Sequence, residues 1–448
     1  MSARKPAIRW PTQTRWPGAP VRIDKTPPDV AGKVSRGLAF TLRPLSLELD
    51  RVLLVVTLSL LGIGLLMVQS ADARISHLPH DFLVRFFLNT TAAHAALAIC
   101  LLLVLWRLDY RWLLGKSLWR SPATILMGIS IICLAMVLTH FGASINGARR
   151  WLMIRVGSHR IGFEPSELAK WVLIVFIATY AWHQSKVIGN FWRGFVPLIA
   201  VVGITTALIL KEDFGTAALL VGIAGMMMYM GGCRWWHLAI LIPPALVVAY
   251  FAVWHSAYRR ERLLIFIHPH LDPQGAGYNP IQSLLSFSSG GFWGKGLGNG
   301  VQKMGYLPED STDFIFSLIA EELGFMGCML VVSLYLTLVI VGWRICHLAD
   351  NMFTKLTAFG TTATIGFQAA MNIAVVTVTV PTKGIALPMI SAGGTGWILT
   401  AGAVGILMNI ERSTRMAQAP YAGNVNPAIP ADSGNAGTSS QAGVRGAA

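Results

Sequence analysis

The stretch with the clearest chemical content lies at residues 302–324, where a polar loop changes into an apolar helix. Its acidic residues are Glu309, Asp310, Asp313, Glu321 and Glu322. A carboxylate can accept the proton of an attacking hydroxyl group, and nearby cations can stabilise a leaving phosphate. Ionisable side chains at a hydrocarbon boundary are costly, and they mark substrate paths or proton-handling sites. The stretch therefore predicts a site of chemistry.

Asp313 is the main candidate, and its position allows two interpretations. It can act as a general base where the loop meets the helix, or it can cap that helix together with Ser311 and Thr312. Asp310 lies three residues before Asp313, and two neighbouring acids are expected to raise one pKa.

Glu321 and Glu322 follow Asp313 by about 12–14 Å along an ideal helix. Glu321 is then about 80° around the helix from Asp313, and Glu322 is on the opposite side. Glu321 is therefore a candidate substrate contact, whereas Glu322 is expected to pair with a neighbouring helix. An internal ion pair is the alternative for both.

Cations are predicted at the same outer end of the molecule. Arg149 and Arg150 precede Trp151, and arginine binds phosphate through its planar guanidinium group. Lys383 lies in a turn between two apolar segments, flanked by proline and glycine. Pyrophosphate binding and anchoring to lipid headgroups are both open for these side chains.

Three further polar residues are candidates for lining the same cavity. Glu167 and Lys170 lie three residues apart at the start of a helix, where they can pair along one face. An ion pair at the membrane boundary is a costly way to hold a helix, which favours a role in the cavity. Asp213 either lines the cavity mouth or caps the helix that follows it.

These candidates belong to a chain built for lipid. It has 448 residues, of which 54% are hydrophobic and 13% are charged, about half the charged share of soluble proteins. We predict an all-α polytopic membrane protein, a bundle of about ten transmembrane helices. The predicted spans are 52–70, 89–106, 122–140, 166–182, 196–210, 215–230, 237–255, 314–342, 356–380 and 388–410.

The spans define the predicted organisation. Residues 1–46 form a basic, proline-rich tail, and residues 413–448 form a second tail rich in small and polar residues; both are expected to be disordered and cytoplasmic. The transmembrane domain is 47–412, and residues 256–313 form one long extracytoplasmic loop rich in glycine. The net charge of +15 could suggest nucleic acid, but basic residues in membrane proteins set orientation or meet anionic lipid, so we expect no nucleic-acid partner.

Seven blocks of sequence resemble the SEDS family (shape, elongation, division and sporulation), most closely its cell-division branch, over roughly residues 45–412. The blocks are SINGARRW at 144–151, PSELAK at 165–170, DFGT at 213–216, YRRERLLIF at 258–266, GYNPIQSLL at 277–285, the YLPE, TDFIF and EELG segments within 306–324, and PTKGIALPMIS at 381–391.

The resemblance implies a peptidoglycan glycosyltransferase that polymerises lipid II on the outer face of the cytoplasmic (inner) membrane at the division septum. It also implies a class B penicillin-binding protein and other divisome proteins as partners. The essential acid of the family's TDF motif corresponds to Asp313. No cofactor is certain, although assistance by a divalent cation such as Mg²⁺ or Mn²⁺ is open.

The chain departs from the family pattern at several positions. Asp310 and Ser311 replace a small residue and a histidine, Lys211 and Glu212 replace glutamine and proline, and Ala392 replaces a tyrosine. Two other functions therefore stay open. A lipid II flippase would need polar groups continuous across the bilayer and an internal repeat, and a non-catalytic divisome scaffold would need no active acid.

Overall fold

The computed structural model describes residues 48–72, 90–145, 148–156, 159–268 and 271–422. The predicted tail at 1–46 and the part of the other predicted tail from residue 423 onward lie outside the described residues. The last helix extends past the predicted boundary at 412, to Ala422.

Each of the ten predicted spans contains a helix, which confirms the predicted all-α membrane bundle. By length and composition, five described helices can cross a membrane: Leu49–Asp72, Thr90–Arg107, Phe191–Glu212, Ile315–Leu348 and Met352–Val376. The long helices are α1 (Leu49–Asp72), α2 (Thr90–Arg107), α3 (Pro122–Val137), α4 (Pro165–His183), α5 (Val196–Glu212), α6 (Phe214–Met230), α7 (Ile242–Trp254), α8 (Ala257–Ile267), α9 (Tyr278–Gly290), α10 (Ile315–Leu348), α11 (Met352–Val376) and α12 (Gly394–Ala422).

Close packing between helices depends on small residues. A Cβ atom built on Gly405 of α12 would lie 2.6 Å from the carbonyl oxygen of Leu102 in α2. One built on Gly342 of α10 would lie 2.1 Å from the Thr362 hydroxyl of α11. Glycine at such positions allows helices in a membrane to approach closely.

A small antiparallel sheet between α3 and α4 was not predicted. Its strands are β1 (Gly142–Ile145), β2 (Ala148–Val156) and β3 (His159–Phe163), in the order β1-β2-β3. Ser144 is opposite Arg149, and Leu152 is opposite Phe163. The sequence has Asn-Gly at 146–147, which is a strong signal for a β-hairpin. The segment had been considered only for its arginines, so this signal was not used.

The predicted long loop at 256–313 contains the helices α8 and α9. Its glycine-rich part, residues 290–303, fills a break in α10. The break is at Gly324, whose φ of 68° and ψ of −164° interrupt the helix. One continuous span was predicted here from the apolar run.

Backbone groups of the loop replace the hydrogen bonds lost at the break. The amides of Lys295 and Gly296 donate to the carbonyls of Glu321 and Glu322, at 3.0 and 2.9 Å. The amide of Phe325 in turn donates to the Gly291 carbonyl, at 3.0 Å. A broken helix is tolerated inside a membrane protein when other groups satisfy its backbone in this way.

Candidate active site

Asp313 lies immediately before α10, and its side chain is half-buried. The residue that caps α10 is Phe314, and no side chain makes a capping hydrogen bond there. The Asn372 amide fixes the backbone of Asp313 instead, donating at 2.8 Å to its carbonyl and at 2.7 Å to the carbonyl of Ile385. The capping interpretation therefore does not describe this carboxylate.

The loop that carries Lys383 lies directly beside Asp313. A Cβ atom built on Gly384 would be only 2.6 Å from Asp313 Oδ2, so the carboxylate occupies the space that a side chain would take. The Lys383 ammonium lies 4.6 Å from the ring centre of Phe214, a cation–π contact. Arg262 Nη1 donates to the Thr382 carbonyl at 3.1 Å, which brings a second cation to this loop.

Arg150 reaches the site from strand β2. Its Nη2 donates to the Glu212 carbonyl at 2.9 Å, and its Nη1 lies 3.7 Å from Asp213 Oδ2. Asp213 also caps α6, because its Oδ1 accepts from the Thr216 amide at 3.0 Å. The capping role considered for Asp213 is therefore present, and its role at the cavity mouth stays a prediction. The neighbouring Arg149 is exposed, and its backbone amide donates to Glu212 Oε2 at 2.9 Å.

Glu167 and Lys170 form the ion pair that was the alternative to a role in the cavity, with 2.8 Å between Lys170 Nζ and Glu167 Oε2, and the cavity role stays a prediction. Lys170 is 1% exposed, and its ammonium also donates to Gln368 Oε1 at 2.9 Å. The Gln368 amide donates to the Ala386 carbonyl at 3.0 Å. This chain of contacts connects α4 through α11 to the loop beside Asp313.

The surroundings favour the protonated form of Asp313. The pKa of Asp313 is raised to about 7, mainly by burial; the charges of Glu309 and Asp213 contribute to the rise, whereas Arg150 and Arg262 oppose it. From the sequence, Asp310 was expected to be the neighbouring acid that raises this pKa. In the structure, that acid is Glu309. Burial also raises the pKa of Glu164 to about 7, with the Glu167 charge as the next cause.

Glu321 and Glu322 belong to a different place. Both are fully buried, and both carry the internal ion pairs that were the alternative to a substrate contact: Glu321 with Lys295 at 2.6 Å, and Glu322 with Lys303 at 2.8 Å. Their carboxylates also accept hydrogen bonds from the glycine-rich loop. A substrate contact by Glu321 stays a prediction, and its contacts in the structure belong to the loop.

The residues do not converge as a protein-held metal site would require. Among the described residues, no three His, Cys, Asp or Glu side chains are placed to hold a metal ion. The charges of Arg150 and Arg262 lower the pKa of Asp313 itself. A Mg²⁺ ion held mainly by substrate phosphates needs few protein ligands, so assistance by a divalent cation stays a prediction.

Several participants were missed from the sequence. Arg262 lies in the YRRERLLIF block and Glu164 directly precedes the PSELAK block, but neither was named as a candidate. Asn372 and Gly384 carried no local signal, because their roles depend on contacts with residues far away in the chain.

The family model for cell cycle proteins of the FtsW, RodA and SpoVE type matches residues 51–416. The chain belongs to this family. An FtsW/RodA/SpoVE relative in Geobacter metallireducens, named "Probable peptidoglycan glycosyltransferase FtsW", is 37% identical over 374 residues, which is 83% of this chain and 96% of the relative. A relative of the same name in Aliivibrio salmonicida is 35% identical over 376 residues, 82% of this chain and 90% of the relative.

Solved structures of the FtsW/RodA/SpoVE fold are also similar. A chain from a peptidoglycan synthase complex that coordinates polymerization and crosslinking has a TM-score of 0.64 and 26% identity, covering 81% of this chain and 97% of that one. The rod shape determining protein RodA of Thermus thermophilus has a TM-score of 0.56 and 24% identity, covering 81% and 96%. The second similarity concerns the fold alone.

Proposed function

We propose that this protein is a peptidoglycan glycosyltransferase that polymerises lipid II into glycan strands during septal wall synthesis. The observation that carries the proposal is the placement of Asp313. It is a half-buried carboxylate that does not cap its helix, with a pKa near 7, beside Gly384 and under the influence of Arg150 and Arg262. A group whose pKa is close to the working pH is well suited to general base catalysis.

In the proposed reaction, a sugar hydroxyl of the acceptor attacks the anomeric carbon of the donor. Asp313 takes the hydroxyl proton as the new glycosidic bond forms, and the bond from the anomeric carbon to the lipid pyrophosphate breaks. A single displacement of this kind inverts the anomeric configuration. Arg150 and Lys383 are assigned to the departing phosphates, with Arg262 as a third cation. Arg149, Glu167, Lys170 and Asp213 are assigned to the walls of the same cavity.

The same proposal gives the setting of the reaction. The polymerase works on the outer face of the cytoplasmic membrane at the septum, with both termini in the cytoplasm. Its partners are a class B penicillin-binding protein, which crosslinks the strands, and other divisome proteins. The similarity to a chain from a complex that coordinates polymerization and crosslinking supports such a partner.

The decisive experiment is polymerisation of lipid II by the purified chain in proteoliposomes, with and without its penicillin-binding partner. Asp313→Asn should reduce the formation of glycan strands by at least about 100-fold, because the proton acceptor is lost. Asp272→Asn is the matched control. Asp272 is a carboxylate of the same long loop that accepts from the amides of Gly275 and Ala276, one at each oxygen, and asparagine can keep one of these two bonds through its amide oxygen.

Folding of each variant is checked by its thermal unfolding temperature in the same lipid. Glycan synthesis by Asp313→Asn at the rate of the unchanged chain would refute the assignment of Asp313. Transfer of a fluorescent lipid II analogue between leaflets without any glycan product would instead favour the flippase.

A further inference from the structure

At the end of the bundle opposite Asp313, two turns bring tryptophan and basic residues together. One turn links α4 to α5, and the other links α6 to α7. The helix α4 begins beside the candidate active site at Pro165 and ends at His183, which places both turns at the far end. We call the exposed residues of these turns the tryptophan–arginine patch: Lys186, Trp192, Arg193, Arg234, Trp235 and Trp236.

The indole rings of the patch are exposed although they are large and mostly apolar. Trp192 is 75% exposed, Trp235 is 54% and Trp236 is 62%. The rings of Trp235 and Trp236 stack with their centres 3.5 Å apart. Tryptophan is enriched at the level of lipid headgroups, where its apolar ring and its N–H group are both accommodated.

The charge of the patch is positive and is not neutralised from within. Lys186, Arg193 and Arg234 are exposed, and the segments 182–195 and 231–242 contain no aspartate or glutamate. Among the residues that the structure describes, none of these three cations has an ion pair. Three cations are therefore available to an anion from outside the chain.

The backbone of the first turn is fixed at the residues that matter. Asn190 Oδ1 accepts from the amides of Trp192 and Arg193, at 3.1 and 3.2 Å. The next residues form one turn of π-helix at Phe191–Phe195, a rare conformation often found at functional sites. The Tyr180 hydroxyl donates to the Gly194 carbonyl at 2.8 Å and anchors this turn to α4.

The two turns also pack against each other. The His237 ring of the second turn lies 5.2 Å from Phe191 and 5.1 Å from Phe195 of the first, measured between ring centres. The Cys233 thiol approaches the Ile188 carbonyl at 3.8 Å. The cations of both turns are therefore carried by one packed unit.

We propose that the tryptophan–arginine patch binds the headgroup of an anionic phospholipid, with Arg193 and Arg234 on the phosphate and the indole rings at the glycerol level. The patch lies where helices of the bundle end, so the nearest abundant anions are lipid phosphates. Arginine matches phosphate geometry, and exposed basic residues near a membrane surface attract anionic lipid. The inference requires only that the bundle spans a membrane, and it does not depend on the proposed reaction.

A second segment at the same end of the bundle supplies the matched control. Residues 108–121 expose Trp112 at 57% and Trp119 at 82%, together with Lys116 and Arg120. This segment also contains Asp109, and it carries ordinary interfacial residues of the same types. If tryptophan and basic residues at a membrane surface bound anionic lipid in general, this segment and the tryptophan–arginine patch should bind it equally well.

The test uses the full chain in phosphatidylcholine nanodiscs with a rising fraction of phosphatidylglycerol, and native mass spectrometry counts the retained lipids. The unchanged chain should retain phosphatidylglycerol in preference to phosphatidylcholine. Arg193→Gln with Arg234→Gln should weaken this retention by about 10- to 30-fold, the effect expected for two surface cations. Lys116→Gln with Arg120→Gln should change it by less than about twofold.

Three results would overturn the proposal. Equal losses in the two double variants would mean that only general surface charge matters. Equal retention of phosphatidylglycerol and phosphatidylcholine would exclude an anionic phospholipid as the ligand. If the patch retained inorganic phosphate but no phosphatidylglycerol, its ligand would be a soluble anion. Equal thermal unfolding temperatures in pure phosphatidylcholine establish that both double variants are folded.

Discussion

Two groups of carboxylates lie within nine residues of one another in the sequence, and the fold treats them in opposite ways. Glu321 and Glu322 are completely buried, and each is in direct contact with a lysine. Asp313 is half-buried at the start of the same helix, and it faces Arg150 and Arg262 as longer-range charges.

The two groups differ in how far their surroundings stabilise the negative charge of the carboxylate. Around Glu322, the Lys303 ammonium, the Ser70 hydroxyl and the amides of Gly298 and Gly300 all donate hydrogen bonds to the carboxylate. Around Asp313, burial outweighs the cations, and the pKa rises to about 7. A fully bonded carboxylate holds structure together, whereas one whose charge is only marginally stabilised can exchange a proton with a substrate.

Removing a carboxylate of the buried group, Glu321 and Glu322, should lower the stability of the folded protein more than the changes at Asp313. Glu322→Ala leaves Lys303 charged and buried at 1% exposure, and an unpaired buried charge costs about 3–5 kcal/mol. The free energy of unfolding, measured by denaturant titration in detergent, should fall by that amount. The double variant Glu322→Gln with Lys303→Met removes both charges and should lose clearly less. A double variant as unstable as Glu322→Ala would show that the pair is not the cause.

Narrowing the space beside Asp313 should affect activity without a comparable loss of stability. Gly384→Ala places a methyl group 2.6 Å from Asp313 Oδ2, so the carboxylate must shift. A displacement of this kind should lower the polymerisation rate by about tenfold or more. Gly393→Ala is the control, since its Cβ atom would have its nearest neighbour at 3.9 Å. Equal rates for the two variants would contradict the placement of Asp313 at the reacting groups.

The smallest effect concerns pH. If Asp313 is the base, kcat/KM, which reports the protein without substrate, should rise as pH increases through about 7, because the carboxylate must be ionised. Glu309→Gln removes a charge that raises this pKa, so the rise should move to lower pH, and Arg262→Gln should move it to higher pH. Glu309→Asp keeps the charge and should leave the profile in place. Shifts of the opposite sign would exclude Asp313 as the titrating group.

The same pKa has a consequence for stability. The folded state holds a proton on Asp313 at pH values where the unfolded chain, with an aspartate pKa of about 3.9, has released it. Asp313 therefore lowers the stability progressively as pH rises from about 4 to about 7. The stability of Asp313→Asn minus that of the unchanged chain should therefore be larger at pH 8 than at pH 4, and thermal unfolding can measure this difference.

The sequence was sufficient for features that depend on local composition. The apolar runs predicted ten spans that each contain a helix, and the spacing allowed the pair between Glu167 and Lys170 and placed Asp313 at a helix start. The break at Gly324 could not be predicted this way, because it is stabilised by backbone groups of residues 291–296. The contact of Lys383 with Phe214 joins distant parts of the chain and has no local signature.

The way in which residues 290–303 complete α10 also constrains how the chain folds. A Cβ atom on Gly294 or Gly324 would lie within 2.3 Å of backbone atoms of the other segment, so the two backbones touch. The first part of α10 can complete its hydrogen bonds only after the loop has docked, and the two must form as one cooperative unit. Amide hydrogens of Lys295 and Gly296, although they lie in a loop, should then exchange with solvent as slowly as those inside the helix.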